Sequence, residues 1–202
     1  MSDLLLILLP GAMYFWVLFA GQAPLQEILQ EQESRVLPRL LACPLTTSQY
    51  LAAKMLRSFV ICAVAIGLLI VASRLLFGLH WGNPWKLVVV VTVWAGSMTG
   101  LLSCIYAATR TREQANVAAP LVLMFLAMLG GSMFPYENLP PFLQLLGQYT
   151  PNRWAVLAMR GVVNARPLAD ICRPVALLLG VAILGSTAAF LLFRRRLGGA
   201  RK

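Results

Sequence analysis

Side chains that carry chemistry are scarce in this chain, and their placement excludes more than it allows. The single histidine, His80, has no second ligand candidate nearby, so an interfacial place for it outweighs metal binding. Cys43, Cys62, Cys104 and Cys172 are spaced in no zinc or redox pattern and read as small hydrophobes. The three lysines are Lys54, Lys86 and Lys202; none follows a glycine loop, and no G-x-x-x-x-G-K-S/T phosphate cradle occurs, so ATP is not bound by a P-loop. Arg74 alone among the ionisable residues lies inside a long apolar run, near enough to its end to snorkel. Proton-coupled carriers and intramembrane hydrolases place Asp, Glu or His at mid-depth, and nucleophilic catalysis needs a nucleophile beside a base. Neither arrangement is found, so the chain is read as a non-enzyme with no catalytic or metal-ligating residue.

The elements that surround these residues are apolar helices. The chain has 202 residues, is 59% hydrophobic and 12% charged, and has a mean hydropathy of +0.76. Soluble domains are roughly one-quarter charged, so this composition cannot coat a globule. A spanning helix needs about 20 mainly apolar residues. Five stretches qualify, 4–26, 58–79, 87–109, 114–136 and 174–193, all within a single membrane domain of residues 1–202. The first lacks a basic leader and a cleavage site, so it is a span and not a signal peptide, kinked at Pro10-Gly11. The net charge of +10 does not indicate nucleic acid, because the basic residues sit in short gaps between apolar runs.

Orientation follows from those gaps. Segments 27–57, 110–113 and 194–202 carry eleven Lys and Arg residues against six in the alternate set, so the first set is cytoplasmic. Five spans then put the N-terminus outside and Arg194-Arg195-Arg196 inside. The outer gap His80-Trp81-Gly82-Asn83-Pro84-Trp85-Lys86 fits an interfacial aromatic belt. The longer outer gap, 137–173, holds two apolar pieces, Phe142 to Leu146 and Ala155 to Val163, each too short to span. They fit short re-entrant helices with Arg153 and Trp154 at the surface; a loosely ordered loop is the alternative. Gly96 and Gly100 form a G-x-x-x-G in the third span, extended by Ala95, Thr99 and Ser103, which supports tight helix packing without naming the partner.

The cytoplasmic segment 25–57 is the most informative. After the acids Glu27, Glu31 and Glu33, the residues Leu37, Leu40 and Leu41 recur at helical spacing with Arg39 between them, and Pro44 stops the pattern. This is a short amphipathic helix. Thr47 or Ser48 then caps the helix that enters the membrane. Such an amphipathic piece lies on lipid, docks in a partner's groove or serves as a solvated connector, and physics alone leaves these open.

Here the sequence resembles a known family. Leu29-Gln30-Glu31-Gln32-Glu33-Ser34-Arg35-Val36-Leu37-Pro38-Arg39-Leu40-Leu41-Ala42-Cys43-Pro44 is similar to the L-R-E-R-E-x-G-T-L-x-R-L-L-x-x-P pattern of the membrane subunits of ABC type-2 exporters. Thr109 to Ala115 resembles that family's short cytoplasmic turn. Gly131-Ser132-Met133-Phe134-Pro135-Tyr136-Glu137-Asn138-Leu139-Pro140 resembles its G-x-x-F-P-x-x-x-L-P element, and Tyr149 to Ala155 the N-P element that follows. The similarity covers nearly the whole chain, in order. It implies an all-α permease with six spans, of which this chain supplies spans two to six; the first span and any extracellular domain after it would be lacking. It implies a cytoplasmic coupling helix that docks on an ATP-hydrolysing partner, built here from Glu31, Glu33, Leu37, Arg39, Leu40 and Leu41. Pro135, Leu139, Pro140, Pro151 and Trp154 would form the extracytoplasmic re-entrant element.

The departures from that pattern are Gln32 for the usual arginine, Arg35 for the usual glycine, and Pro38 within the short helix. Proline costs about 3 kcal/mol inside a helix, which moves the start of the coupling helix toward Leu37 or weakens coupling. The resemblance implies a second permease copy packed through small-residue faces, a plasma (bacterial inner) membrane location, and ATP and magnesium held only by the partner; a pathway lined by apolar and small residues without buried charges would suit export of a lipophilic or amphiphilic cargo such as a drug or lipid. A non-transporting membrane anchor or remnant is the alternative.

Overall fold

A computed structural model describes residues 13, 16–17, 19–34, 36, 46–132 and 136–198 of the chain. Every regular element among the described residues is helical, and the protein is an all-α membrane protein. Residues 13, 16–17 and 19–20 are helical and lead into α1, Ala23–Glu33. There follow α2, Thr47–Phe77; α3, Pro84–Ala108; α4, Arg112–Leu129; a single 3-10 turn, Tyr136–Asn138; α5, Pro141–Gly147; α6, Pro151–Val163; and α7, Leu168–Gly198. Three of these are long and apolar enough to cross a membrane: α2, α3 and the Ala169–Arg195 part of α7.

The starts of these helices are written in short polar signals. Thr46 accepts from the Gln49 amide at 3.2 Å, and the Gln49 side chain accepts from the Thr46 amide at 3.0 Å, which closes a capping box at α2. The cap is thus Thr46 and not Thr47 or Ser48, because only Thr46 has extended backbone with its hydroxyl three residues before a glutamine. Asn83 caps α3 through the Trp85 amide at 2.9 Å, with Pro84 at the first helical position, where its missing N–H costs nothing. Thr111 caps α4 and Thr150 caps α6 in the same way.

The ends differ from the hydropathy pattern. α2 runs 31 residues, about 46 Å at 1.5 Å per residue, so the apolar run covers only 58–77 of it and about three further turns, 47–57, precede that run. α4 stops at Leu129, short of the 114–136 run. The reason is local. Gly131 has φ 77°, and a Cβ on Gly130 would lie 2.5 Å from the Asn152 Cβ, so the chain turns here against α6. The loop alternative for 137–173 gives way to two packed helices. α6 buries Ala155, Val156, Ala158, Met159 and Val162, and Asn152, 1% exposed, donates from Nδ2 to Ser132 Oγ at 2.8 Å.

α3 is the central post. Trp94, Met98, Leu102 and Tyr106 on it are all buried, at i, i+4 spacing, and contact neighbours on several sides. Its closest neighbour is α7, along Gly100 and Gly185: a Cβ on Gly100 would lie 3.0 Å from both Ala182 O and Ser186 N, and one on Gly185 would lie 2.9 Å from the Gly100 carbonyl carbon. Cys104 Sγ donates to Gly185 O at 3.0 Å on the same seam. Small residues let two helix backbones touch, which is how membrane helices gain packing where no hydrophobic force pulls them together.

The turn between α2 and α3 is fixed at Gly82, which has φ 76° and would place a Cβ 2.4 Å from the Val162 carbonyl oxygen. A left-handed backbone costs about 1–2 kcal/mol for a residue with a Cβ, and the clash adds to it. Gly82→Ala is therefore expected to lower the melting temperature of the detergent-solubilised protein by several degrees, read by loss of the monodisperse peak after heating. An unchanged peak would mean that this turn does not pack on α6.

Candidate coupling site

The sequence elements singled out above fall at the two ends of α4, about 27 Å apart for its 18 residues. One group surrounds α1. The face of α1 formed by Pro24, Leu25, Ile28 and Leu29 is buried in the bundle, which turns Glu27 and Glu31 toward the first turns of α2. Lys54 Nζ sits between the two carboxylates, 2.6 Å from Glu27 and 2.7 Å from Glu31. Arg57 reaches Glu27 at 2.8 Å, and the Tyr50 hydroxyl donates to Glu31. Spacings of i, i+4 on α1 and of i, i+4, i+7 on α2 place all five groups on facing helix stripes.

Burial separates these contacts. The Lys54 side chain is 14% exposed and that of Arg57 is 56% exposed. Lys54 is therefore the hub, whereas the Arg57 contact lies in water, where such pairs are worth about 0–1 kcal/mol. The hydrogen bond from Lys54 holds the Glu27 carboxyl below its ordinary value of 4.5, reinforced by the charges of Lys54 and Arg57 and opposed by partial burial. A carboxyl whose folded pKa lies below its unfolded one stabilises the fold above about pH 4.5 and loses that contribution as pH falls through the folded value. Thermal stability is accordingly expected to decline as pH drops below 4.5, with a shallower decline in Glu27→Gln. Identical slopes for the two proteins would show that this carboxylate does not feel Lys54.

Glu33 acts elsewhere. Its Oε1 accepts from the Arg112 amide at 2.7 Å, at the N-terminus of α4, where orphan N–H groups and the helix dipole favour a carboxylate. Gln26 Nε2 donates to Asn116 Oδ1 at 3.1 Å on the same side. α1 thus ties α2 and α4 together. Of the coupling residues expected from the sequence, Glu31 and Glu33 make these contacts within the chain, and Leu37, Arg39, Leu40 and Leu41 lie outside the described residues. Glu27, Tyr50, Lys54 and Arg57 were not expected at this site. Their signal was the pairing of two acids four apart with two cations three apart on neighbouring helices.

The second group lies at the far end of α4. Leu139 O accepts from Gln144 Nε2 at 2.8 Å and Pro140 precedes the first turn of α5. Pro151 opens α6 and is buried; Trp154 Nε1 donates to Gln148 O at 2.8 Å, joining α6 to the end of α5. Pro135 lies outside the described residues. Gly100 packs on α7, whereas a Cβ added at Gly96 would meet Ala182 Cβ at an ordinary 3.5 Å. No group of three or more His, Cys, Asp and Glu residues able to hold a metal occurs among the described residues.

The arrangement is a helical bundle with a charged brace at one end and a capped pair of short helices at the other. Residues 2–191 match the family described as ABC-2 family transporter protein. The chain belongs to that family. It is also similar to the linearmycin resistance permease protein LnrN of Bacillus subtilis (strain 168), 28% identical over 158 residues, which is 78% of this chain and 41% of the relative. The chain thus spans about two-fifths of that relative's length. Membership in the ABC-2 family and the apolar helices make this a multi-pass membrane protein of a transporter family.

Proposed function

We propose that this chain is the membrane-spanning permease subunit of an exporter whose ATP is hydrolysed by a separate partner. The observation that carries this reading is the family match across residues 2–191 together with a brace through which α1 grips both α2 and α4. Segment 35–45, which joins α1 to α2, would meet the ATPase, with Leu37, Arg39, Leu40 and Leu41 in contact. Motion of that segment would pass through Glu31 and Glu33 into two helices at once. The α1 end would be cytoplasmic, the α5–α6 end extracytoplasmic, and the membrane the plasma membrane of a bacterium. ATP and magnesium would reside on the partner.

A second permease copy would complete the pathway. Gly100 is occupied by α7 of the same chain, so the copies would meet through other faces. A lipophilic or amphiphilic cargo, drug-like or lipid-like, suits α2 and α3, whose membrane parts hold no acid and, in α2, Arg74 as the one cation. The relative's name as a resistance permease supports the same class.

The test is co-expression with a cognate ATPase. Arg39→Glu is expected to abolish co-purification and to reduce permease-stimulated ATP turnover at least tenfold, the cost of a reversed charge in a docked contact. A complex and turnover equal to wild type would reject the coupling role. An intact complex that binds and hydrolyses ATP but moves no amphiphile would favour the non-transporting anchor.

A further inference from the structure

A cleft of about 730 Å³ opens at the α6 end between α6, the end of α5 and the first turns of α7. It is chemically graded. Leu157 of α6 and Leu177 of α7 line its apolar part, Arg166, Asp170 and Arg173 line its charged part, and Trp154, in the first turn of α6, also lines the cleft. Along α7 the order is fixed by the helix. Asp170, Arg173 and Leu177 recur at i, i+3, i+7 on one stripe, so the cleft passes from charge to hydrocarbon in about 10 Å, toward the apolar body of the membrane helix.

The cleft carries a net positive charge. Arg166 and Arg173 share the cleft with Asp170 as its one acid. Lys86 adds a third cation close by, donating from Nζ to Arg166 O at 3.1 Å. That bond, with the Arg166 amide donating to Gly161 O at 2.9 Å, pins the backbone from which the Arg166 side chain extends. A cationic rim at a membrane surface attracts anionic lipid. Arginine holds phosphate oxygens in a planar fork, and a tryptophan in the same cleft suits the headgroup boundary.

We infer that this cleft is a binding site for an anionic phospholipid, the phosphate on Arg166 and Arg173 and an acyl chain along Leu157 and Leu177. The inference does not rest on the transport reading, because either membrane surface offers such lipids. Asp170 disfavours a second negative group deep in the rim and leaves room for one phosphodiester.

The probe is phosphatidylglycerol carrying brominated acyl chains, which quench nearby tryptophan, added to the full chain in detergent. The part of the quenching lost in Trp154→Phe reports the cleft. Brominated phosphatidylglycerol is expected to quench that part at about tenfold lower concentration than brominated phosphatidylcholine, between the roughly fivefold and thirtyfold that one and two arginines give at a membrane surface, since Asp170 offsets part of their charge. Arg166→Gln/Arg173→Gln, with its melting temperature unchanged in lipid-free detergent, is expected to erase the difference. If the double variant does not fold, Arg173→Gln alone, at an exposed position, is expected to narrow it. Millimolar glycerol phosphate is expected not to compete. Equal quenching by both lipids in the wild type, or a preference that survives in the folded variant, would overturn the site. Displacement by glycerol phosphate alone would overturn the lipid assignment in favour of a small free anion.

Discussion

Gly100→Leu is expected to prevent stable assembly of the helical bundle, and Gly100→Ala to weaken it measurably. The cause is steric. Any Cβ at position 100 meets Ala182 O and Ser186 N at 3.0 Å and Ser186 Oγ at 3.1 Å, and two of these three atoms are backbone that cannot rotate away. Overpacking of a close-packed interior costs about 1–3 kcal/mol for a small insertion; alanine should fall within that range and leucine beyond it. Gly96→Ala, one turn earlier, is the control, because its Cβ would meet only Ala182 Cβ at 3.5 Å and Phe59 at 4.0 Å. The readout is the melting temperature in detergent, with the order wild type close to Gly96→Ala, then Gly100→Ala, then Gly100→Leu. Equal tolerance at both glycines would mean that α3 and α7 do not touch along this seam.

Lys54→Glu is the second large effect, and it separates α1 from α2. The ammonium is the shared partner of two carboxylates, so reversal places three negative groups in one half-buried site. Truncating one member of a buried charge pair costs about 2–5 kcal/mol, largely because the other charge is left unpaired. Glu27 and Glu31 retain 33% and 23% side-chain exposure, which puts Lys54→Met near the lower end, about 2 kcal/mol, and the reversal above it. Neutralising the acids should restore stability: Glu27→Gln/Glu31→Gln is expected to rescue most of the loss in the Lys54→Met background. Arg57→Ala should cost less than about 1 kcal/mol, since that pair lies in water. If Arg57→Ala were as damaging as Lys54→Met, the hub would be misplaced. Within the proposed function, the same variants should uncouple ATP turnover from transport before they unfold the protein.

Much of the fold was legible because bilayer-length apolar runs and helix-start signals act locally. Asn83-Pro84, Pro140-Pro141 and Thr150-Pro151 each open a helix for reasons contained within four residues. What was not legible depends on partners distant in sequence. The G-x-x-x-G at Gly96 and Gly100 specifies a close approach but not that the approaching backbone is Gly185, which only the crossing of α3 and α7 decides. Glu31 and Glu33 carry the motif by which the chain resembles exporter permeases, yet their carboxylates are satisfied by Lys54, Tyr50 and the Arg112 amide. A motif records which residues occur, and the rotation of each helix about its axis determines what they touch. The end of α4 escaped the hydropathy pattern for a similar reason. Residues 130–136 stay largely apolar, and the turn at Gly131 follows from the fit of Gly130 against Asn152.

The proposal rests on the α1 end facing the cytoplasm, where an ATPase can reach it. Impermeant maleimide labelling of single cysteines tests this most directly, in a variant whose own four cysteines are replaced. Gln30→Cys reports the exposed side of α1, and Tyr149→Cys, at a residue 72% exposed, reports the α5–α6 end. In sealed right-side-out vesicles Tyr149→Cys should label at once, and Gln30→Cys only after the membrane is permeabilised. Immediate labelling of Gln30→Cys with protection of Tyr149→Cys would invert the topology and remove the ATPase contact with it.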